Sequence, residues 1–274
     1  MATIYRDSFI SVTSTIIFCS PYRPTFSFRL IHICNFTPQI TDVPKGMLLR
    51  LLHTLKKIFL FLFAAQLIYI IILKWVDPPI TATQIASLIN GYGLMRDYVD
   101  LKDISPYAAL AVISSEDQLF PDHNGFDVKS IKKAIDSNNK KSKRMRGAST
   151  ISQQVAKNVF LWQDRTWFRK GLEVYFTFMI EAVWGKKRIL EVYLNVAEMG
   201  KGVFGIEAAA QKYFKKSAKK LTRTESAKIA AALPNPKKYI VNPASSYINK
   251  RYPWVLQQMN NLGDDPDIQR IVNR

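Results

Sequence analysis

The most continuous apolar pattern in the chain is IFLFLFAAQLIYIIIL, from Ile58 to Leu73, in which Gln66 is the only strongly polar residue. Further apolar residues flank it at Leu51–Leu55 and Trp75–Val76, so the whole stretch approaches the ~20 residues that cross a bilayer. The pattern predicts a transmembrane anchor over residues 58–76.

The charges around this stretch predict its orientation. Arg50, Lys56 and Lys57 precede it, whereas only Lys74 follows closely. Because cations favour the cytoplasmic side, we expect residues 1–57 to be cytoplasmic and residues 77–274 to be exported. A cleaved signal peptide and a buried soluble helix are the alternatives. KWVDPP follows where a signal peptide would carry small residues at its cleavage site, and this favours the anchor.

The segment before the anchor has no sustained periodicity and contains both cysteines, Cys19 and Cys34. Met47 begins MLLRLLHTLKKIFLF, which is typical of a natural start, so residues 1–46 are hypothesised to be a long or mis-called leader. Because both cysteines precede the anchor, the exported part offers neither a disulfide nor thiol chemistry.

Beyond the anchor the periodicity is helical almost throughout. KKRILEVYLNVAEM places four residues on one face, namely Ile189, Val192, Tyr193 and Val196. LTRTESAKIAAALPNP opens with a capping box from Thr222 to Glu225 and is stopped by Pro234 and Pro236. Strand-like alternation is scarce, and no later linker is long enough to divide domains. The pattern predicts one mainly α domain over residues 77–274.

Composition adds a constraint on the partner. With 274 residues and 48% apolar content the chain can bury a good-sized core, so its net charge of +18 lies on a folded body. Such a charge predicts an acidic partner: nucleic acid, an anionic lipid surface or a phosphorylated substrate. The run between Gly125 and Gly147 is especially basic, and it is typical of a solvated face or of a surface that meets anionic headgroups.

Several chemistries fit the sequence poorly. MGKGVFG has GxGxxG spacing at Gly200, Gly202 and Gly205, but helical rather than strand spacing precedes it, which favours a sharp turn between two helices over a nicotinamide site. SxxK matches at Ser130, Ser137 and Ser217 lie in lysine-rich stretches without a KTG partner, so an acyl-transfer serine is not expected. His123 is the only histidine beyond the anchor, and metal chemistry is therefore poorly supported.

Three other segments carry candidate chemistry. SSEDQLFPDHNGFD sets the acidic pair Glu116–Asp117 ahead of a histidine. RGASTISQQVAKN reads as a capped helix start, whose free backbone N–H groups favour an anion. RKGLE sets two cations and a carboxylate within one turn. Ordinary capped helices with local ion pairs are the alternative, but together in an exported, membrane-tethered domain the segments predict chemistry on a sugar pyrophosphate at the membrane face.

These segments resemble the motifs of the monofunctional biosynthetic peptidoglycan glycosyltransferases, lysozyme-like enzymes that polymerise lipid II. The resemblance covers roughly Leu101 to Pro243, and five motifs occur in family order: EDQLFPDHNGFD, GASTISQQVAKN, RKGLE, EVYLNVAEMGKGVFGIEAAAQKYF and ESAKIAAALPNP. Ala148 and Leu172 are mild departures, and the latter puts one pyrophosphate contact in doubt. Only about thirty residues follow Pro243, so the monofunctional form is expected. The implied fold is a lysozyme-like, two-lobed helical domain behind a single N-terminal transmembrane helix.

The resemblance also implies roles for particular residues. Glu116 is the expected catalytic base, and Glu173 is the second essential glutamate. The expected substrate- and pyrophosphate-binding residues are Ser149, Thr150, Gln153, Gln154, Lys157, Arg169 and Lys170. The expected site-shaping residues are Asp117, Phe120, His123, Gly125, Asn195 and Gly200. No tightly bound cofactor and no metal ligand set are expected, although a divalent Mg or Mn ion is compatible with the chemistry.

The implied setting is the bacterial inner membrane, with the catalytic domain in the periplasm. Expected partners are lipid II, the growing lipid-linked glycan, membrane lipids and cell-wall synthesis or division proteins, but not nucleic acid. Two alternatives remain open: a lytic, peptidoglycan-cleaving enzyme of lysozyme-like fold, and a non-enzymatic module that binds anionic lipid. The lytic enzyme would not need the cation set, and the binding module would leave both glutamates without a role.

Overall fold

The structure is a computed structural model that describes residues 45–139, 149–164 and 166–273. Residues 1–44, which hold both cysteines and nearly all of the hypothesised leader, lie outside the described residues. The same is true of residues 140–148, which contain five of the cations of the basic run.

The described chain is mainly helical, and this confirms the predicted fold class. In chain order the helices are α1 (Lys45–Ile72), α2 (Ala82–Ile89), α3 (Pro106–Glu116), α4 (Val128–Asn139), α5 (Ile151–Phe160), α6 (Trp167–Val183), α7 (Lys186–Val196), α8 (Ile206–Phe214), α9 (Arg223–Ala232), α10 (Ser246–Leu262) and α11 (Pro266–Val272). Short 3₁₀ helices span Leu101–Asp103 and Ala218–Lys220.

A small sheet was not predicted. Its strands are β1 (Met95–Arg96), β2 (Glu198–Gly200) and β3 (Val203–Phe204), in the order β1-β3-β2. β1 runs parallel to β3, with Met95 opposite Val203, and β2 runs antiparallel to β3. Strands of two or three residues are too short to produce a readable alternation. The GxGxxG segment is thus a tight hairpin between α7 and α8, in agreement with the predicted turn.

Helix α1 contains residues 58–72 of the predicted anchor. By length and composition its segment Gly46–Ile72 could cross a membrane, and most of its apolar side chains are exposed. The helix ends at Ile72, so Trp75 and Val76 lie beyond it. Its last turns are fixed by contacts: the Tyr175 hydroxyl donates to Gln66 Oε1 at 3.0 Å, and Trp184 Nε1 donates to the Ile70 carbonyl at 2.8 Å.

Helix α3 lies in the core and carries the acidic pair at its end. Every residue from Ala108 to Ser114 is buried, as expected for a helix that is apolar on all sides. It packs against α9 and α10, and its alanines permit a close approach. The helix stops at Glu116, which places a carboxylate where the apolar helix ends.

A second packed group consists of α5, α6 and α7. The predicted apolar face of α7 is fully buried, with Ile189, Val192, Tyr193 and Val196 each at most 1% exposed. The capping boxes predicted at the starts of α5 and α9 are both present. Local helix signals and tertiary packing therefore agree in this part of the fold.

Helix α6 has the opposite polarity to a normal surface helix. Its buried face carries Arg169, Glu173 and Thr177, whereas Trp167 is 92% exposed and Phe178 is 64% exposed. A helix whose outer face contacts water usually carries its polar side chains outside and its apolar side chains inside. The helix therefore turns charged side chains inward and aromatic side chains outward.

Candidate active site

The site begins with Glu116 at the end of α3. Gln154 Nε2 on α5 donates to Glu116 Oε2 at 2.9 Å, and the Tyr193 hydroxyl on α7 donates to Gln154 Oε1 at 3.3 Å. Because the tyrosine occupies the amide oxygen, the amide nitrogen must face the carboxylate. The three side chains form one chain of hydrogen bonds that orients Glu116.

Burial is the main influence on this carboxylate and raises the pKa of Glu116 above its ordinary value of 4.5. The hydrogen bond from Gln154 and the positive charge of Arg251 oppose the rise, and the negative charge of Asp117 adds to it. Burial also raises the pKa of the Tyr193 hydroxyl well above 10.0, so this group stays protonated and remains a donor. Glu116 is thus a desolvated carboxylate with raised proton affinity, held by neutral groups.

Asp117 points into a different network. One of its oxygens, Oδ1, lies 2.9 Å from His123 Nε2, and the other accepts from the Ile151 backbone N–H at 2.9 Å. His123 Nδ1 accepts the Gly125 N–H at 3.2 Å, so the proton resides on Nε2 and is donated to Asp117. Asp117 therefore ties the end of α3 to the start of α5.

The start of α5 is less open than the sequence predicts. Thr150, not Ser149, is its N-cap: the threonine hydroxyl accepts from Gln153 N–H and donates to the Gly125 carbonyl at 2.7 Å. The Gln153 side chain bonds back to Thr150 N–H, and the Ile151 N–H is used by Asp117. The expectation of free N–H groups is wrong for these donors, because the protein supplies its own carboxylate and cap. Ser149 is exposed beside them.

The predicted cations lie together on α5 and α6. Glu173 is buried and receives two charged donors from its own helix: Arg169 Nη1 at 2.7 Å and the Lys170 ammonium. Arg169 is itself buried, and its Nε–H has no acceptor within the described residues. A buried guanidinium donor left over in this way is available to an anion.

Lys157 connects the two halves of the site. Burial lowers the pKa of its ammonium below 10.5, with Glu173 and Glu116 opposing this shift and Arg169 and Lys170 reinforcing it. All four groups therefore lie within electrostatic reach of Lys157. The structure thus brings together residues from three of the motifs around one lysine.

The loop from Asp117 to Gly125, which we name the base loop, has a buried underside. Phe120 is fully buried, and its ring lies edge-on to His123 at 6.4 Å between centroids. Gly125 has φ +85°, and a Cβ there would lie 2.7 Å from Thr177 Cγ2. Glycine is therefore required for the loop to reach α6.

The remaining two predicted residues shape the fold at a different place. The Val99 N–H donates to Asn195 Oδ1 at 3.0 Å, and Asn195 Nδ2 donates to the Val99 carbonyl at 2.9 Å. A Cβ at Gly200 would lie 2.0 Å from the Tyr213 hydroxyl, so only glycine allows this approach. The hydrogen bonds of Asn195 and the close approach at Gly200 join Val99 to α7 and Tyr213 to β2.

Four residues of this region were not predicted as site residues: Tyr193, Arg251, Glu181 and Lys186. Tyr193 was assigned to the apolar face of α7, and nothing in that pattern marks its hydroxyl. Arg251 lies on α10, beyond the last motif. Its Cζ lies 3.6 Å from the centre of the Trp254 ring, and its buried Nε–H has no hydrogen-bond partner in the described part of the chain. Only tertiary structure brings it near Glu116.

Among the residues that the structure describes, no group of three or more His, Cys, Asp or Glu side chains could hold a metal ion. Both oxygens of Glu173 are already engaged by cations.

Comparison with known proteins places this arrangement in a class. The profile of the transglycosylase family matches residues 82–260, which include all the predicted site residues. Biosynthetic peptidoglycan transglycosylases from Escherichia coli and Shigella boydii are each 55% identical to the chain over 190 residues, covering 68% of this chain and 78% of the relative.

The chain belongs to the transglycosylase family. The predicted family and the predicted enzyme class, a glycosyltransferase, are thereby confirmed. The apolar helix of spanning length, together with relatives named for biosynthetic transglycosylation, is consistent with a membrane-anchored enzyme.

Proposed function

We propose that the chain polymerises peptidoglycan glycan strands from lipid II, with Glu116 as the catalytic base. The observation that carries the proposal is Lys157, which lies within electrostatic reach of both Glu116 and the Arg169–Lys170–Glu173 cluster. A base and an anion-binding cluster so close together suit a transfer in which a proton is taken at one end and a pyrophosphate leaves at the other.

Glu116 acts on the acceptor sugar. Its carboxylate takes the proton of the 4-hydroxyl while that oxygen attacks the anomeric carbon of the lipid-linked donor chain, and the configuration inverts. A raised pKa matches this task, because a base is most effective when its pKa approaches the working pH. Gln154, held by Tyr193, keeps the accepting oxygen in a fixed direction.

The cation cluster acts on the leaving group. As the bond between the anomeric carbon and the phosphate oxygen breaks, undecaprenyl pyrophosphate gains negative charge. Lys157, Lys170 and the unused Nε–H of Arg169 stabilise that charge. Glu173 does not accept a proton in this scheme: it holds the two α6 cations in place. No step is routed through a metal ion.

The membrane supplies both substrates, and the surface of the protein suits that setting. We place residues 1–57 in the cytoplasm and the catalytic domain in the periplasm, because Arg50, Lys56 and Lys57 precede the apolar stretch. The exposed residues Trp167, Phe168 and Phe178 on α6 support contact with the bilayer surface, where aromatic side chains are favoured. The pyrophosphate cluster on the opposite face of that helix then lies close to the lipid.

The test is polymerisation of labelled lipid II by the detergent-solubilised full chain, with products resolved by size. Wild type is expected to give glycan ladders, and Glu116→Gln is expected to lose about 10²–10⁴-fold in rate. Glu198→Gln is the matched control, because burial also raises the pKa of Glu198 but this carboxylate pairs with Lys237 outside the site. It should keep near-normal activity.

Other outcomes distinguish the alternatives. Near-normal ladders from Glu116→Gln would overturn the assignment of the base. Shortening of preformed glycan in place of ladders would indicate a lytic enzyme. No change in either substrate with the wild-type chain would leave a lipid-binding module.

A further inference from the structure

A second polar cluster lies behind the base loop and has no part in the mechanism above. Lys186, the first residue of α7, donates to Glu181 Oε1 near the end of α6 at 2.7 Å. Both side chains are largely buried, at 18% and 8% exposure. Burying an ammonium and a carboxylate costs free energy, and such a pair is often no more stable than apolar residues of the same size. Stability alone therefore does not account for it.

The contacts of Lys186 lead to the base loop. Its ammonium also donates to the His123 carbonyl and lies 4.7 Å from the centre of the Phe120 ring. Both residues belong to the loop that follows Glu116. The ammonium thus holds the loop from below, while Asp117 holds it from the side of α5.

The contacts of Glu181 lead to α5. The same oxygen that accepts from Lys186 also accepts from the Ser152 hydroxyl in the first turn of α5. The Cγ of Glu181 packs where the Gly125 backbone crosses α6, at 3.0 Å from the position of a Cβ at Gly125. One carboxylate therefore joins α5, α7 and the base loop.

We propose that Lys186 and Glu181 are positioning residues that set the distance between the catalytic base and the cation cluster. Glu116 lies on α3, whereas Lys157 and Arg169 lie on α5 and α6. Along the chain, α3 is joined to α5 and α6 only through the base loop and the residues that follow it. The spacing between these helices therefore depends on side-chain bridges. The role of the pair rests on the proposed function of Glu116 and deepens it.

The first test uses Lys186→Met, with Lys187→Met as the matched control. Lys187 is the next residue, is exposed, and donates to the Asn273 carbonyl at 3.3 Å. We expect Lys186→Met to lower kcat by about 10–10²-fold at an almost unchanged KM for lipid II, because a misplacement of about 1 Å has effects of that size. The acid limb of the pH profile should stay in place, and Lys186→Arg should recover part of the rate. Lys187→Met should behave as wild type.

The double variant Glu181→Gln/Lys186→Met tests whether the two act as a unit. It should be no slower than the slower single variant, since residues in one network are not additive. Fully multiplicative losses of rate would show that the two residues act independently and would overturn the proposal. An unchanged kcat per folded molecule of Lys186→Met would also overturn the proposal. A raised KM with an unchanged kcat would do the same, because it would mark Lys186 as a substrate contact.

A second readout does not depend on activity. Hydrogen–deuterium exchange of the Gly125 and Ile151 amides, which bond to His123 and Asp117, should be at least about tenfold faster in Lys186→Met, with α9 and α10 unchanged. Unchanged exchange at both amides would overturn the proposal. If wild type makes no glycan but exchange changes as expected, the proposed function fails while the bracing of the loop stands.

Discussion

Glu116 and Glu173 are the same residue type in the same site, but their surroundings differ. Glu116 is held by the neutral amide of Gln154, and burial raises its pKa. Glu173 is buried as well, but it is clamped between Arg169 and Lys170, one turn before it on its own helix. Glu116 therefore binds a proton more readily than an ordinary glutamate, whereas both oxygens of Glu173 are engaged in ion pairs.

The difference shows how one protein assigns two roles to one side chain. A carboxylate that must take a proton is surrounded by neutral donors and low polarity, whereas one that must arrange cations is given cations. The comparison makes the two glutamates experimentally separable: substitution of each should alter a different property of the enzyme.

The largest expected contrast is between Glu116→Gln and Glu173→Gln. The first should remove turnover, by about 10²–10⁴-fold, and leave the protein folded. The second should lower both activity and stability, by about 3–5 kcal/mol in the free energy of unfolding, because it leaves the buried Arg169 without its carboxylate. Polymerisation assays together with denaturant unfolding measure the two effects. Equal loss of stability in both variants would remove the distinction.

A smaller effect is expected from Gln154→Leu. The amide stabilises the charged form of Glu116, so its removal should raise the pKa of that carboxyl further and move the acid limb of the kcat/KM profile to higher pH. The rate below the limb should fall about tenfold, since a hydrogen bond to a charged group contributes about 1.5–3 kcal/mol. Tyr193→Phe, which only releases the amide, should shift the limb less. An unmoved limb in Gln154→Leu would contradict the role of the amide.

Arg251→Met should act in the same direction but more weakly. The arginine lowers the pKa of Glu116 through its charge, without a hydrogen bond to that carboxylate among the described residues, so its loss should reduce the rate at acidic pH by about threefold. Arg223→Met is the control, because Arg223 bonds to Asn260 and packs on Tyr107 instead. A pH–rate profile that moves equally in both variants would show a general charge effect.

The smallest expected effect concerns stability and pH. Because the folded protein raises the pKa of Glu116, the favourable contribution of its protonated form is present below the ordinary value of 4.5 and is lost as pH rises through the folded value. Glu116→Gln should therefore gain stability relative to wild type on going from about pH 4 to neutral pH. Thermal unfolding across that window checks the sign, and a gain that is larger at pH 4 would contradict it.

The sequence predicted those parts of the fold that have a local cause. The capping boxes of α5 and α9 and the buried face of α7 follow from residue spacing alone, and the structure has them. The three-stranded sheet was missed because its strands are too short to leave a signal in the periodicity.

The motifs indicated the candidate site residues, whose roles stay predictions. The structure places Glu116 and Glu173 within electrostatic reach of Lys157, but two features depend on tertiary packing. Asp117 fills the start of α5, which reads from sequence as an open anion site. Lys186 and Glu181 look like ordinary surface charges at a helix junction, and only the folded chain shows them beneath the base loop.

The contact between Thr150 and Gly125 has a consequence for how the gene can change. The Thr150 hydroxyl reaches the Gly125 carbonyl at 2.7 Å, and Asp117 reaches Ile151, so the chain returns to its starting point after residues 126–149. Insertions or deletions within that stretch leave both anchor points where they are. The lysine-rich stretch can therefore lengthen, shorten or change its charge among descendants of this chain while the catalytic geometry is inherited intact.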